Sequence, residues 1–570
     1  AMARPSLEMR RLAALAAALV SASCAISPVG IAPIGDGDIR AAAASIESTG
    51  LLRNIGTLSS DDFEGRSPGT HGESVTIDYI AREFAARGVA PGAANGSFFQ
   101  QVPLVEFHSH PALALERAGR AIPLRTPDDF VAWAPRREAD VVIANSGIVF
   151  VGYGVVAPEY GWNDFKGVDV RGKTIVMLVN DPQVPDPADP SRLDDTMFKG
   201  RAMTYYGRWT YKYEQAQRVG AAAALIVHET IPASYPYSVV VNSMGRENYE
   251  LASAGRAYPP VAGWIPVDQA RALFAASGLD FEVMKEKALR KDFRPVPLGS
   301  TANFRVHNDW REIPSHNVIA RIEGSDPALK DEAVVYTAHW DHFGWDASLP
   351  GPKSRQVYHG ALDNASGISA LLAIARAYKA LPRAPRRSIV FVATTAEERG
   401  LLGSTHYVDN PVVPLRRTLA NINIDGINLW GRTRDVVIVG LGQSTLDEII
   451  TSVAAKQGRK TTPEAHPETG GFFRSDQLPF IRAGVPAAYF GSGSDFIGRP
   501  PGFSEEKRNA YVANRYHKVA DVVDPEWDFA GALEDLRMAF EVGLRVAEGD
   551  DYPAWRPDSE FKAKRDAMMR

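Results

Sequence analysis

At 570 residues, with 45% hydrophobic and 23% charged side chains, the chain is too long for one ordinary core and calls for two or three domains. A formal net charge of −5 and no long basic run exclude the electrostatic footprint of a nucleic-acid binder. Its single cysteine, Cys24, lies near the N-terminus. Beyond it, hydrolytic chemistry must come from Ser/Thr, carboxylates or a metal.

Residues 1–25 have the pattern of an export signal: Arg4, Arg10 and Arg11, an apolar run over 12–20, then small residues. That run is too short to span a bilayer, and no other run approaches the needed length. Ser21 stands where a lipid-attachment signal usually has Leu, so a periplasmic or secreted protein is favoured over a lipid anchor on Cys24. Residues 26–45 are unpatterned and predict a flexible tether. Helices are predicted over 46–60 and 73–88, the second with Val75, Ile77, Ile80 and Phe84 at helical spacing and Gly88 to close it. Between them lies the turn-rich loop Asp61-Asp62-Phe63-Glu64-Gly65-Arg66-Ser67-Pro68-Gly69-Thr70. Residues 46–130 are assigned to the N-terminal part of one domain.

From 131 to 300 the texture changes to short strands (147–154, 173–179, 220–227) with frequent Gly and Pro and one helix over 213–219. No cluster of chemical side chains appears there, and Trp209, Tyr211 and Lys212 read as packing and surface residues. From 301 to 548 strands and helices alternate. Strands are predicted over 317–322, 333–338, 388–395, 419–424, 435–439 and 485–490, and helices over 364–381, 401–408, 445–457 and 527–546. This predicts an α/β fold, a mixed and largely parallel sheet with helices on both faces. Residues 549–570 read as a polar extension.

Chemistry gathers at the carboxyl ends of these strands, where open α/β sheets bind ligands. The run 333–338 ends in His339-Trp340-Asp341-His342, and Asp363-Asn364 precedes the next helix. Residues 388–395 end in Ala396-Glu397-Glu398, 419–424 end in Asp425, and Tyr516-His517 lies in a late polar loop. Taken singly, Asp363 reads as a helix cap and Asp425 as a turn residue. Together, a histidine and several carboxylates on one sheet edge suit zinc. One ion would leave acids unused, whereas two bridged by a carboxylate would not. Asp341 is placed to accept the second ring N–H of His339.

The blocks Ala338-His339-Trp340-Asp341, Gly360-Ala361-Leu362-Asp363-Asn364-Ala365-Ser366-Gly367, Thr395-Ala396-Glu397-Glu398-Arg399-Gly400, Asn423-Ile424-Asp425 and Tyr516-His517 resemble, in order and spacing, family 28 of the metallopeptidases, the co-catalytic zinc aminopeptidases. The resemblance implies two zinc ions per chain. It places His339 and Asp425 on one ion, Glu398 and His517 on the other, Asp363 between them, Glu397 as general base and Asp341 behind the ligands. It further implies a cis peptide at Asp363–Asn364, Tyr516 as oxyanion donor, and Arg474 and Asp476 in the substrate pocket. Residues of about 145–265 resemble the protease-associated domain that some members insert. The implied reaction is hydrolysis of the N-terminal bond of a peptide. Alternatives are a carboxypeptidase or dipeptidase of the same fold, a single-zinc acyltransferase like the glutaminyl cyclases, and a non-catalytic receptor-like protein with eroded ligands.

Overall fold

The computed structural model describes residues 32–245, 247–252 and 258–570. The expected export signal and Cys24 lie outside the described residues.

Three runs of β-branched and apolar residues form the centre of the sheet. Every residue of Ala333–His339, Ser388–Thr394 and Thr418–Asn423 is buried, as expected of parallel strands covered on both faces. Ala487–Gly491 continues the parallel set beside Thr418–Asn423. Ser388–Thr394 pairs antiparallel with the last residues of the long strand Val296–Ile322. Asp435–Ile438 lies antiparallel beyond Ala487–Gly491. The sheet is therefore mixed and largely parallel, with His339 level with Thr394 and Asn423 level with Tyr489.

The helix Ser366–Lys379 has eleven of its fourteen residues buried. It is sandwiched between the sheet and the helices Ser48–Leu58 and Ala530–Glu548, with which it shares one apolar core. Apolar residues around most of its circumference make such full burial stable.

The long strand Val296–Ile322 joins two parts of the molecule. It pairs with Phe99–Arg117 along most of its length and, near its start, with Asp140–Phe150. From there the strands Thr174–Leu178, Ala223–His228 and Val261–Pro266 add in parallel. Parallel neighbours need crossover connections, and the helix Trp209–Arg218 supplies one between Thr174–Leu178 and Ala223–His228. The region, whose sequence reads as a small α/β or β-rich module, is therefore α/β. Its core continues into Phe472, Phe473, Trp555 and Phe561, which seats it against the other domain.

Two expectations are corrected. Residues 36–44 of the expected tether form the helix Asp36–Ala44, which buries Ile39 and Ala42 in the main core. The Ala-rich run has high helix propensity, Ile39 and Ala42 share one face, and Ile46 just beyond the helix is buried in the same core. The expected polar extension also folds back. Trp555 is buried and donates its indole N–H to the Gly484 carbonyl at 2.8 Å. The helix Lys562–Met569 anchors through Arg565, which donates to the carbonyls of Leu415 and Thr418. Among the described residues no helix is long and apolar enough to cross a membrane.

Candidate metal centre

The parallel register brings the ends of three central strands to one edge. His339 ends the first strand, and Glu397 and Glu398 follow the second in a tight turn bracketed by left-handed Ala396 (φ 52°) and Leu401 (φ 61°). Non-glycine residues in that region store strain, which concentrates where geometry is functionally constrained. The Asp341 carboxylate fastens this turn by accepting the backbone N–H groups of Glu397 (3.0 Å) and Glu398 (3.3 Å). Asp425 follows the third strand, and His517 projects from a loop with its own backbone at φ 55°.

Asp363 sits in an irregular turn after Gly360, and its peptide bond to Asn364 is cis. Gly360 is left-handed, and a Cβ there would collide with the Asp363 carbonyl. The turn is held from two sides. Asp521, fully buried, accepts the N–H groups of Leu362 and Asp363 at 3.2 and 3.0 Å. The buried Arg66 guanidinium donates to the carbonyls of Gly360, His359, Trp340 and Leu58 at 2.7–2.9 Å.

The result is a two-sided constellation about one carboxylate. Oδ1 of Asp363 lies 3.2 Å from His339 Nε2, which is 3.3 Å from Asp425 Oδ1. Oδ2 of Asp363 lies 3.2 Å from His517 Nε2, which is 3.1 Å from Glu398 Oε2. Glu397 Oε2 is 3.9 Å from His339 Nε2. His339, Asp363 and Glu398, and likewise His339, Glu397 and Asp425, have ligand atoms within 4.8 Å of one another.

Burial drives the electrostatics. It pushes Glu397 well above the usual carboxylate range, helped by the charges of Asp425 and Glu398. Burial also opposes ionisation of Glu398 and Asp363, yet their imidazole partners outweigh it and hold both low. His517 is pushed up to about 10, because Glu398 and Asp363 outweigh the burial that opposes its charge. Among the described residues no Lys or Arg forms an ion pair with Asp363, Glu397, Glu398 or Asp425. Carboxylate and imidazole lone pairs aimed at one space, with too little positive charge to balance them, fit a divalent cation of borderline softness.

Three expected details change. His339 Nδ1 lies 3.1 Å from the main-chain carbonyl of Asp341, and 3.7 Å from its carboxylate, which is occupied by the Glu397–Glu398 turn. Asp476 does not face substrate: it is fully buried and accepts from Thr394 Oγ1 and Ser404 Oγ, both at 2.5 Å. Its place is beneath the strand end, where a carboxylate finds two hydroxyl donors. His342, which matches no ligand position of the family and reads from sequence as structural or exposed, is fully buried with Nδ1 2.7 Å from Glu398 Oε1. Tyr516 stacks on His517 at 3.7 Å and its ring is 43% exposed. Its hydroxyl is held protonated by loss of water and by the nearby charges of Asp363 and Glu398. Arg474 is exposed and lies outside the constellation, near Arg208.

Sequence reasoning missed Tyr489, whose hydroxyl is likewise pushed up by burial and by Asp425, Glu397 and Asp363. Its signal was available: a tyrosine at the carboxyl end of a strand parallel to the one that presents Asp425. It also missed Arg66 and Asp521 as braces, and their partners carry no local signal.

Residues 317–540, which include every residue of this constellation, match the model of the family described as Peptidase family M28. Aminopeptidase YwaD of Bacillus subtilis (strain 168) is 36% identical over 167 residues, 28% of this chain and 32% of that protein. A probable glutamate carboxypeptidase, AMP1 of Arabidopsis thaliana, is 34% identical over 136 residues, 23% of this chain and 17% of that protein. The chain thus spans a third or less of the length of these relatives. The solved structure of an aminopeptidase from Aneurinibacillus sp. strain AM-1 aligns with a TM-score of 0.46 at 18% identity, over 90% of this chain and 99% of that one. Over residues 317–540 the chain is therefore similar to peptidase family M28.

Proposed function

We propose that the chain is an exported di-zinc exopeptidase that removes N-terminal residues from peptides. The observation that carries this reading is the division of Asp363, one oxygen toward His339 and Asp425 and the other toward His517 and Glu398. These five residues would hold two zinc ions, which supply an acidified water and polarise a carbonyl.

Glu397 moves the proton. It is buried at the edge of the constellation, and the surroundings that raise its proton affinity suit a group that accepts a proton and returns it to the leaving amine. Asp341 keeps the Glu397 backbone in place. Tyr516 and Tyr489 keep their O–H groups at neutral pH and stand ready as donors to a developing oxyanion. Glu397 and Asp425 offer negative charge to a free substrate amine.

The direct test uses one dipeptide with its amine blocked and, separately, with its carboxyl amidated. Blocking the amine should abolish cleavage. Loss of cleavage only on amidation would contradict the aminopeptidase reading. Fractionation of expressing cells tests export, which rests on Arg10, Arg11 and the apolar run over 12–20.

One observation favours a carboxypeptidase as second reading. The buried Nε of Arg208 has no partner, and the charge of Arg474 nearby adds to the burial that lowers the pKa of Arg208. Two neighbouring guanidinium groups would welcome a substrate carboxylate, and the amidated dipeptide decides this too.

A further inference from the structure

A second group of metal-ligating side chains lies outside the peptidase constellation, midway along the ribbon formed by Phe99–Arg117 and Val296–Ile322. His307 pairs directly with His110 across these antiparallel strands, and Asp309 pairs with His108. On its other side His307 pairs with Asp140 of Asp140–Phe150. Residues two apart on a strand share a face, and directly paired residues share one too. His108, His110, His307, Asp309 and Asp140 therefore all stand on one face of three adjacent strands. Three of the chain's twelve histidines are gathered in this patch.

Asp309 lies between two imidazoles. Its Oδ2 is 3.1 Å from His110 Nε2 and its Oδ1 is 3.8 Å from His307 Nε2. Ligand atoms about 2.0–2.2 Å from a tetrahedral zinc are roughly 3.3–3.6 Å from each other, so these separations bracket the required value. The other nitrogen of His307, Nδ1, is 3.0 Å from Asp140 Oδ1. A carboxylate on the far ring nitrogen is the usual device for aiming a metal-ligating histidine. His108 stacks on His110 with ring centroids 4.5 Å apart and is within reach as a fourth ligand. The centroids of His110 and His307 are 6.2 Å apart. Closing on one ion requires an inward turn of these rings. Side-chain exposures of 51% and 55% leave them room for it. Arg305, next but one to His307, is the nearest cation along the strand, and two carboxylates offset it.

From this geometry we propose a further transition-metal site, with His110, His307 and Asp309 as ligands, His108 as a fourth, and Asp140 orienting His307. Zinc is the matching ion for nitrogen and oxygen donors at these separations. Bound there, it would cross-link the two long strands that join the peptidase domain to the region of residues 131–300.

The test is equilibrium dialysis of the full chain against micromolar free zinc, with total zinc per chain measured by atomic emission. His110→Ala/His307→Ala should lose one equivalent of zinc and keep its peptidase activity. His517→Ala, which damages the peptidase constellation, should keep that equivalent and lose activity, so failure of either site is recognised separately. Asp140→Asn, which leaves every proposed ligand in place, should weaken the equivalent about tenfold. Equal zinc contents in the wild-type chain and His110→Ala/His307→Ala would overturn the proposal.

Discussion

Two buried groups of acids among the described residues are finished in opposite ways. In the region of residues 131–300, Asp164 and Asp181 are fully buried, yet each is saturated by the protein. Asp164 accepts from the Val155 N–H and the Trp162 indole, and Asp181 from the Thr204 N–H and hydroxyl. Burial raises both to about 6, against the pull of Lys212. That lysine is itself fully buried, donates to the carbonyls of Tyr153 and Asn180, and is lowered to about 7 by burial. At the sheet edge, Asp363, Glu398 and Asp425 instead point their oxygens at a shared space and meet only imidazoles. A closed acid cluster is architecture. An open one, with its lone pairs converging and no lysine to balance it, is a place for a cation.

The contrast can be broken most severely at Glu397. Glu397→Ala should lower kcat by about 10³–10⁴-fold, while zinc content measured by atomic emission stays at the wild-type level. An active variant with full zinc would remove Glu397 from the proton transfer. Next in size is Lys212→Met. Removing the cation leaves two buried carboxylates uncompensated, which should cost about 3–5 kcal/mol in denaturant unfolding. Activity per folded molecule should remain, because the closed cluster has no part in the chemistry.

A smaller effect is expected at His342, behind Glu398. Its Nδ1 is bonded to Glu398, while its buried Nε2 has no partner. His342→Phe keeps the ring and removes the bond to Glu398. Zinc affinity should fall about 10–100-fold, with turnover recovered at saturating zinc.

The last effect appears only at high pH and concerns Glu560 in the folded-back C-terminal segment. Burial raises its carboxyl to about 7, and its Oε2 has no partner. A folded-state pKa above the ordinary 4.5 gives stability that is fully present below 4.5 and is lost as pH rises through about 7. Glu560→Gln should therefore be more stable than wild type by up to about 3 kcal/mol near pH 8 and equal to it near pH 4. Thermal unfolding at the two pH values checks both sign and size.

How far the sequence carries this account depends on the range of the forces involved. The central strands were legible because β-branched runs such as Ile389-Val390-Phe391-Val392 fit only a sheet covered on both faces. His339, Glu397, Glu398 and Asp425 were legible because each ends such a run, and parallel pairing sends those ends to one edge. The helix Asp36–Ala44 was missed because its apolar face is small and gains stability only from the core it meets. Arg66 and Asp521 were missed for a related reason. Arg66 braces carbonyls nearly three hundred residues away, and no local pattern marks a pairing made by the chain's return. Asp476 was misplaced because Arg474, two residues before it, is exposed, and residues of one turn can face opposite ways. His342 stands in the same short loop as His339 and Asp341, and only the register of Glu398 opposite shows which acid it touches.

The central claim is that Asp363 is shared between two ions. Crystals grown in zinc, with diffraction recorded on both sides of the zinc absorption edge, test it directly. At the sheet edge two anomalous peaks are expected, distinct from the one at His110 and His307, one beside each carboxylate oxygen of Asp363, the first near His339 and Asp425 and the second near His517 and Glu398. A single peak at full occupancy, or two that do not flank Asp363, would contradict it.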